Sequence, residues 1–267
     1  MMEILEQQLI GKKSQETCED AIVITTHHLA VIDGSTSKTN RSILPGVRNG
    51  RNAMMLAAEC IENLPEEATC EEFCQSVTAS FAAVYESHQY CTDFILEHPE
   101  ERLTCSAAIY STSRREVWMI GDCQCLIDGE FYDNPKPMEA ANAAKRIAYI
   151  REHHLSESSI LKHDEGRDYI INDIIASMRL QNKTFSVIDG TPIYLRGVKR
   201  IPAENAHEIV LATDGYPFLY PTLAESEAAL KNLLINDPCC MEIFQATKAC
   251  MKGQQSFDDR AYLRFNI

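Results

Sequence analysis

Two stretches of the sequence decide the fold: LAVIDG at residues 29–34 and IVLATDG at residues 209–215. Each is a nearly continuous apolar run that ends in an Asp-Gly pair. Continuous apolar runs of this length predict strands that are buried on both faces. Asp33 and Asp214 therefore stand at the ends of buried strands, where the surrounding protein holds a carboxylate rigidly. This placement suits a ligand for a hard cation.

Two further Asp-Gly pairs have a different context. The pair at residues 128–129 lies between the short runs CQCLI and EFY, and the pair at 189–190 lies between FSVI and TPIYL. Both Asp and Gly tolerate the positive φ that tight hairpin turns require. These two pairs are therefore predicted to be plain turns.

Other acidic residues stand where strands are predicted to begin or end. Glu19 and Asp20 precede the run AIVI, and Asp122 follows VWMIG. Asp258 and Asp259 precede the run RAYLRF. Folding can bring such strand ends to one edge of a sandwich, where two like charges ~4 Å apart repel by about 4 kcal/mol at an effective dielectric constant of 20. A convergence of these carboxylates therefore calls for divalent cations.

The remaining pattern predicts an α+β protein folded as one domain over residues 1–267. Helical periodicity over residues 51–63 and 71–97 places two consecutive helices between groups of short strands, which argues against strict βαβ alternation. Residues 138–181 also have helical patterns and are predicted to form a helical insertion, or flap, over one edge of the sheet.

The composition is typical of a soluble globular protein. Of 267 residues, 45% are hydrophobic and 24% are charged, which excludes a disordered chain. The formal net charge of −14 argues against nucleic acid and membranes as partners. The eleven cysteines have neither a disulfide-framework spacing nor a zinc-site spacing. Because no signal peptide or membrane span is visible, a cytoplasmic protein with reduced cysteines is expected.

The acidic motifs occur in an order that resembles a known family. The series CEDAIVI, AVIDGST, TCSAAIY, VWMIGDCQCLIDG, IVLATDGY and SFDDRAYLRF spans nearly the whole chain. It is similar to the motif series of the PP2C-like (PPM-type) metal-dependent Ser/Thr protein phosphatases, and resembles a divergent bacterial-type member most. The resemblance implies an αββα four-layer sandwich of two antiparallel sheets flanked by helices.

The resemblance also implies a set of residues that hold two Mn²⁺ or Mg²⁺ ions: Glu19, Asp20, Asp33, Gly34, Asp214 and Asp258. Asp33 corresponds to the carboxylate that bridges both ions, and Gly34 to a backbone carbonyl ligand. Asp214 and Asp258 correspond to the remaining acids of one ion, and the two earlier acids to the pair near the other. The terminal motif contains two adjacent acids, Asp258 and Asp259. The alignment with the family's motif can therefore shift by one residue, so that Asp259 corresponds to the last ligand instead. The implied catalytic residues are Asp33, Asp214 and Asp258.

One departure from the family's pattern concerns phosphate binding. The arginine that holds the phosphate in eukaryotic members is replaced by Gln15. The cations Lys12, Lys13, Lys38 and Arg41 are alternative candidates for that role, and the sequence does not choose among them.

Other departures concern the metal centre. The histidine that often follows the first Asp-Gly is Ser35, and Gly-Asp-Ser has become Gly-Asp-Cys at Cys123. The acid expected four residues after Asp214 is Phe218, which weakens a third metal site built from Asp122.

The resemblance implies hydrolysis of phosphoserine or phosphothreonine in a phosphorylated protein substrate. In that family a hydroxide that bridges the two ions attacks phosphorus in line, without a phosphoenzyme. The departures at Gln15, Ser35 and Phe218 keep a second hypothesis open, a pseudophosphatase that binds a phosphoprotein or acts as a regulatory module. Hydrolysis of small phosphate esters is a third.

Overall fold

Two five-stranded antiparallel sheets form the centre of the computed structural model, which describes residues 2–39, 41–88 and 92–267. The first sheet contains, in spatial order, β1 (Glu3–Ile10), β10 (Arg260–Asn266), β9 (Glu208–Ala212), β6 (Gln124–Ile127) and β7 (Glu130–Tyr132). The second contains β2 (Asp20–Ile24), β3 (His28–Gly34), β4 (Cys105–Ser111), β5 (Glu116–Ile120) and β8 (Lys199–Pro202).

The described helices lie between and around these strands. They are α1 (Asn49–Glu62), α2 (Cys70–Ser87), α3 (Thr92–Glu97), α4 (Glu139–Glu152), α5 (Glu157–Ile160), α6 (Glu165–Tyr169), α7 (Ile171–Met178) and α8 (Leu223–Asn236).

Buried side chains from both sheets interleave to form the central core. Val31 of β3 and Tyr110 of β4 belong to the same buried cluster as Leu211 of β9 and Phe265 of β10. The other face of the second sheet packs against α1 and α2, with Phe73 and further apolar residues between them. On the outer face of the first sheet, α8 contributes to a smaller apolar cluster. The order of layers is therefore helix, sheet, sheet, helix, as predicted.

The second predicted helix is shorter than its periodicity indicates. The pattern over 71–97 predicts one helix, but α2 ends at Ser87 and α3 begins at Thr92. Residues 89–91 of that prediction lie outside the described part of the chain. A capping box of Thr69 and Glu72 begins α2.

The segment 138–181 is helical, as predicted, and carries α4, α5, α6 and α7 between β7 and β8. This segment is called the flap below. Gly166 of α6 allows close packing against α4, since a Cβ at this glycine would lie 2.8 Å from Ile150 Cδ1.

The two predicted turns have different outcomes. Asp128 and Gly129, with φ of 48° and 82°, form the two-residue connection between β6 and β7, which confirms that prediction. The chain also bends at the pair 189–190, with φ of 83° at Gly190, but the turn is not a plain one, because the carboxylate of Asp189 is fully buried and lies 2.8 Å from Arg102 Nη1. Asp189 therefore has a structural role in an ion pair.

The described cysteines are all free thiols, and most of them are buried. No helix within residues 2–39, 41–88 and 92–267 is long and apolar enough to cross a membrane.

Candidate metal centre

Strand pairing brings acids of separate motifs to one edge of the second sheet. Asp20 of β2 lies directly opposite Asp33 of β3, and Ser106 of β4 lies opposite Asp33 on its other side. Thr213, at the end of β9, donates a hydrogen bond of 2.7 Å to Asp20 Oδ2 and so joins the first sheet to this edge. Asp20 and Asp33 are thus fixed by backbone register.

Three carboxylates form the centre of the site. Asp33, Asp122 and Asp214 follow or end β3, β5 and β9, and one carboxylate oxygen from each lies within 4.8 Å of the others. Asp214 Oδ1 is buried and has no hydrogen-bond partner in the described part of the chain. A set of hard oxygen atoms at this spacing, with one of them unsatisfied, fits a divalent cation.

Two glycines allow the acidic motifs to approach one another. A Cβ at Gly34 would lie 2.5 Å from the carbonyl oxygen of Glu19, and a Cβ at Gly215 would lie 2.0 Å from that of Asp259. Only glycine fits at such close backbone contacts. Close packing therefore explains the glycines of these two Asp-Gly pairs, which follow Asp33 and Asp214.

Glu19 and Asp259 lie together at a second group of acids. Asp259 accepts hydrogen bonds from the backbone N–H groups of Lys12, at 2.7 Å, and Glu19, at 3.3 Å. Glu19 Oε2 accepts a bond of 2.6 Å from Thr36 Oγ1, whereas Glu19 Oε1 is buried and unpartnered among the described residues. The free oxygen of Glu19 is a second available ligand.

Asp258, the other acid of the terminal motif, contacts two lysines. Lys12 Nζ lies 2.9 Å from Asp258 Oδ1, and Lys248 Nζ forms an ion pair with Asp258 Oδ2. Lys12 Nζ also lies 3.1 Å from Asp259 Oδ2. Asp258 is not one of the three clustered carboxylates, so its predicted role as a ligand requires displacement of these lysines.

Desolvation and, after it, mutual repulsion raise the pKa of three acids at the site. Desolvation, and then the charge of Asp33, raise the pKa of Asp214 to about 8. Desolvation also raises the pKa of Asp33, with Asp122 as the next cause, and that of Asp20, with Asp33 as the next cause. A bound divalent cation would favour the ionised form of each carboxylate.

Asp122 behaves differently because a cation is already beside it. Desolvation raises its pKa, but Lys136 Nζ at 2.5 Å and the hydroxyl of Ser106 at 2.6 Å outweigh this effect, and the net pKa is lowered. Desolvation lowers the pKa of Lys136, but Asp122, Asp214 and Asp33 together raise it above its usual value.

Cations and acids line one cleft of about 970 Å³. Of the four candidates for phosphate binding, Lys12, Lys13 and Lys38 line this cleft. Arg41 instead lies over the ring of Phe94, 5.5 Å from its centroid. Desolvation, and then nearby cations, lower the pKa of Lys38 to about 7.

The flap forms one wall of the cleft together with residues 237–249, called the wall loop below. The side chain of Arg146 is fully buried, lies 2.8 Å from Asp164 Oδ2, and donates to the carbonyl oxygens of Cys239, Cys240 and Ala246 in the wall loop. Asp164 accepts from the backbone N–H of Ala249 at 3.1 Å. This network holds in place the loop that carries Lys248.

Two lysines of the site, Lys136 and Lys248, have no signal in the sequence pattern. Lys136 lies between two prolines, in a linker with no periodic pattern, and Lys248 lies in the irregular wall loop. Phe218, four residues after Asp214, packs edge-on against Phe244 with ring centroids 6.0 Å apart.

The comparisons with known proteins concern the fold. No protein-family model and no curated protein sequence match the chain. A solved structure of a bacterial serine phosphatase matches with a TM-score of 0.50 at 12% identity, covering 100% of this chain and 98% of that chain. This chain therefore has the fold of a bacterial serine phosphatase, and the fold implied by the resemblance is confirmed.

Two further solved structures match with lower scores. The catalytic domain of the phosphatase PstP, in complex with 2 manganese ions, has a TM-score of 0.49 at 13% identity, covering 100% of this chain and 98% of that chain. The phosphatase Stp1 from Staphylococcus aureus has a TM-score of 0.47 at 13% identity, with coverage of 99% and 96%.

The raised pKa of Asp214 predicts that the metal-free protein loses stability as pH rises. Its pKa is about 8 in the folded protein and 3.8 in the reference state, so the folded state binds more protons between these values. The contribution of Asp214 to the free energy of unfolding is fully present below pH ~4 and decreases as the pH rises to ~8. In EDTA, we expect the free energy of unfolding to fall by about 1–3 kcal/mol more in the wild type than in Asp214→Asn between pH 5 and pH 7.

Urea denaturation at these two pH values measures that difference. Subtracting the variant from the wild type removes the contribution of His28, whose pKa desolvation lowers and whose effect on stability has the opposite sign. Equal pH dependence of the two proteins would contradict the prediction.

Proposed function

We propose that this protein is a metal-dependent phosphatase that hydrolyses phosphoserine or phosphothreonine in protein substrates. The observation that carries the proposal is the approach of carboxylate oxygens of Asp33 and Asp214 to within 4.8 Å, beside the lysine-paired Asp122, in a cleft that also contains cations. The fold shared with a bacterial serine phosphatase supports the same reaction class.

We propose Mn²⁺ or Mg²⁺ as the cofactor, in a site for two ions. The unpartnered oxygens of Asp214 and Glu19 fit such ions, as does the clustered carboxylate of Asp33, and Gly34 lines the same cleft. Asp20 lies opposite Asp33 in the neighbouring strand, and Asp258 would contribute after release from its lysines. When bound, two divalent ions lower the pKa of a water nucleophile and screen the negative charge of the phosphoryl group.

The chain's own cations are suited to orient the substrate. Lys38 lies in the cleft, where its Nζ donates to Ser35 Oγ at 3.4 Å and to the backbone carbonyl of Thr36. Lys12 donates to Thr36 Oγ1 at 2.9 Å and pairs with Asp258 and Asp259. Because Lys12 already forms ion pairs with two carboxylates, we propose Lys38 as the replacement for the phosphate-binding arginine.

The lysines also support a second candidate function, a pseudophosphatase. Lys12 and Lys248 both pair with Asp258, and Lys136 pairs with Asp122. Such ion pairs offset part of the carboxylate charge without metal. In this case the cleft would bind a phosphorylated protein without hydrolysing it.

Phosphate release from a phosphothreonine peptide distinguishes these functions. We expect turnover that rises with added Mn²⁺ and disappears in EDTA. Metal binding without turnover would contradict the proposed enzymatic function and favour the pseudophosphatase. Turnover of a nucleotide or sugar phosphate in preference to the peptide would instead assign small phosphate esters as substrates.

A further inference from the structure

The linker between β7 and α4, residues 133–138, is fixed over the turn that precedes Asp122. Asn134 Nδ2 donates hydrogen bonds of 3.0 Å to the carbonyl oxygens of Gly121 and Gly197. Gly121 has φ of 87° and lies against Ser106, which a Cβ would contact at 2.2 Å. The linker and the Asp122 turn are therefore held in one arrangement.

This linker places Lys136 beside Asp122. It lies between Pro135 and Pro137, whose rings restrict φ on both sides of it. Its Nζ lies 2.5 Å from Asp122 Oδ2, while Ser106 Oγ donates to Asp122 Oδ1 at 2.6 Å. Both oxygens of Asp122 thus have partners from the protein itself, in contrast to Asp214 Oδ1.

A positive charge is favourable at the position of the Lys136 ammonium group, beside the clustered carboxylates. Three carboxylates, with one oxygen of each within 4.8 Å of the others, are stabilised by a nearby cation, and an ammonium covalently attached to the chain provides one permanently. Phe218, four residues after Asp214, offers no carboxylate and packs on Phe244.

We infer that Lys136 is a built-in cation that replaces an additional divalent ion at Asp122. The protein therefore excludes metal from Asp122, and loss of the Lys136 charge creates room and demand for one more ion. This inference rests on the proposed metal site, but it concerns the difference in ion number between variants, so it does not depend on turnover.

Counting bound Mn²⁺ tests the inference. After equilibrium dialysis of the full chain, the free ion is measured by electron paramagnetic resonance, and the bound ion is obtained by difference. We expect Lys136→Met to bind about one more ion per chain than the wild type, and Lys136→Arg, which retains the charge, to bind the wild-type number. Lys145→Met is the matched control, because Lys145 pairs with Asp173 on the exposed surface of the flap.

Asp122→Asn alone provides a test that does not require Lys136→Met to fold, and the double variant adds a second comparison. If Lys136 excludes metal from Asp122, this variant binds as many ions as the wild type, and the double variant with Lys136→Met gains none. Equal binding by Lys136→Met and the wild type, or loss of an ion in Asp122→Asn, would overturn the inference. A wild type that binds no ion while Lys136→Met binds one would overturn the proposed function and support the inference.

Discussion

Asp33→Asn is expected to eliminate metal-dependent phosphate release while leaving the fold intact. Asp33 lies opposite Asp20 in the sheet and within 4.8 Å of Asp122 and Asp214, so its carboxylate is central to the site. A metal centre supplies several kcal/mol of transition-state stabilisation, and each 1.36 kcal/mol corresponds to a factor of ten in rate. We expect turnover to fall by at least ~10²–10³-fold.

The same substitution is expected to stabilise the metal-free protein. Desolvation and the charge of Asp122 raise the pKa of Asp33, which means that the folded state disfavours the ionised group at neutral pH. Asparagine removes that charge with little change of shape. In EDTA at pH 7.5, relief of about 1 kcal/mol would raise the melting temperature by about 2–4 °C.

Activity, melting temperature and Mn²⁺ titration measure the two effects on the same samples. Addition of Mn²⁺ should raise the melting temperature of the wild type more than that of Asp33→Asn. Asp173→Asn is the matched control, because this exposed carboxylate pairs only with Lys145 among its described contacts. Wild-type turnover in Asp33→Asn would refute the assignment of the site.

The parts of the site that are visible in the sequence are those with a local pattern. Asp33 and Asp214 end continuous apolar runs, so their position at the edge of a buried strand follows from β-sheet physics. The order of these runs also carried the resemblance, and with it the sandwich of two antiparallel sheets. Here local propensity and tertiary structure agree.

The lysines could not be predicted because tertiary contacts alone bring them to the site. Lys136 reaches Asp122 through a linker held by Asn134, and Lys248 reaches Asp258 from the irregular wall loop. Neither segment has a periodic pattern that fixes its direction. Asp189 shows the same limit, since a pattern typical of a turn conceals a buried carboxylate paired with Arg102.

The end of α2 at Ser87 has a similar explanation. Helical periodicity describes which face of a segment is buried, and it does not fix the residue at which a helix ends. Both Phe81 of α2 and Ile95 of α3 are buried in the same core cluster, so the apolar spacing extends beyond the end of α2.

Arg146→Met is expected to cause the largest loss of stability. The side chain of Arg146 is fully buried, and its guanidinium joins Asp164 of the flap to three carbonyl oxygens of the wall loop. Removal of one partner from a buried ion pair costs about 3–5 kcal/mol, because the remaining charge stays buried without compensation. Asp164 retains backbone donors from Arg167 and Ala249, which favours the lower part of that range.

Arg151→Met is a close control for this prediction. Arg151 lies on the same helix and also joins the flap to the wall loop, through Glu242 at 2.6 Å, but both side chains are more than half exposed. An exposed ion pair contributes about 0–1 kcal/mol, so this variant should unfold near the wild-type urea concentration.

Urea denaturation combined with hydrogen exchange distinguishes local from global effects of Arg146→Met. If Arg146 joins the flap and the wall loop, amides of α4 and of residues 237–249 should lose protection together, before those of β3 and β4. The Mn²⁺ affinity should change less than in Asp33→Asn, because Arg146 contacts none of the clustered carboxylates in the described structure. A loss below 1 kcal/mol, similar to that of Arg151→Met, would mean that this buried pair does not hold the wall of the cleft.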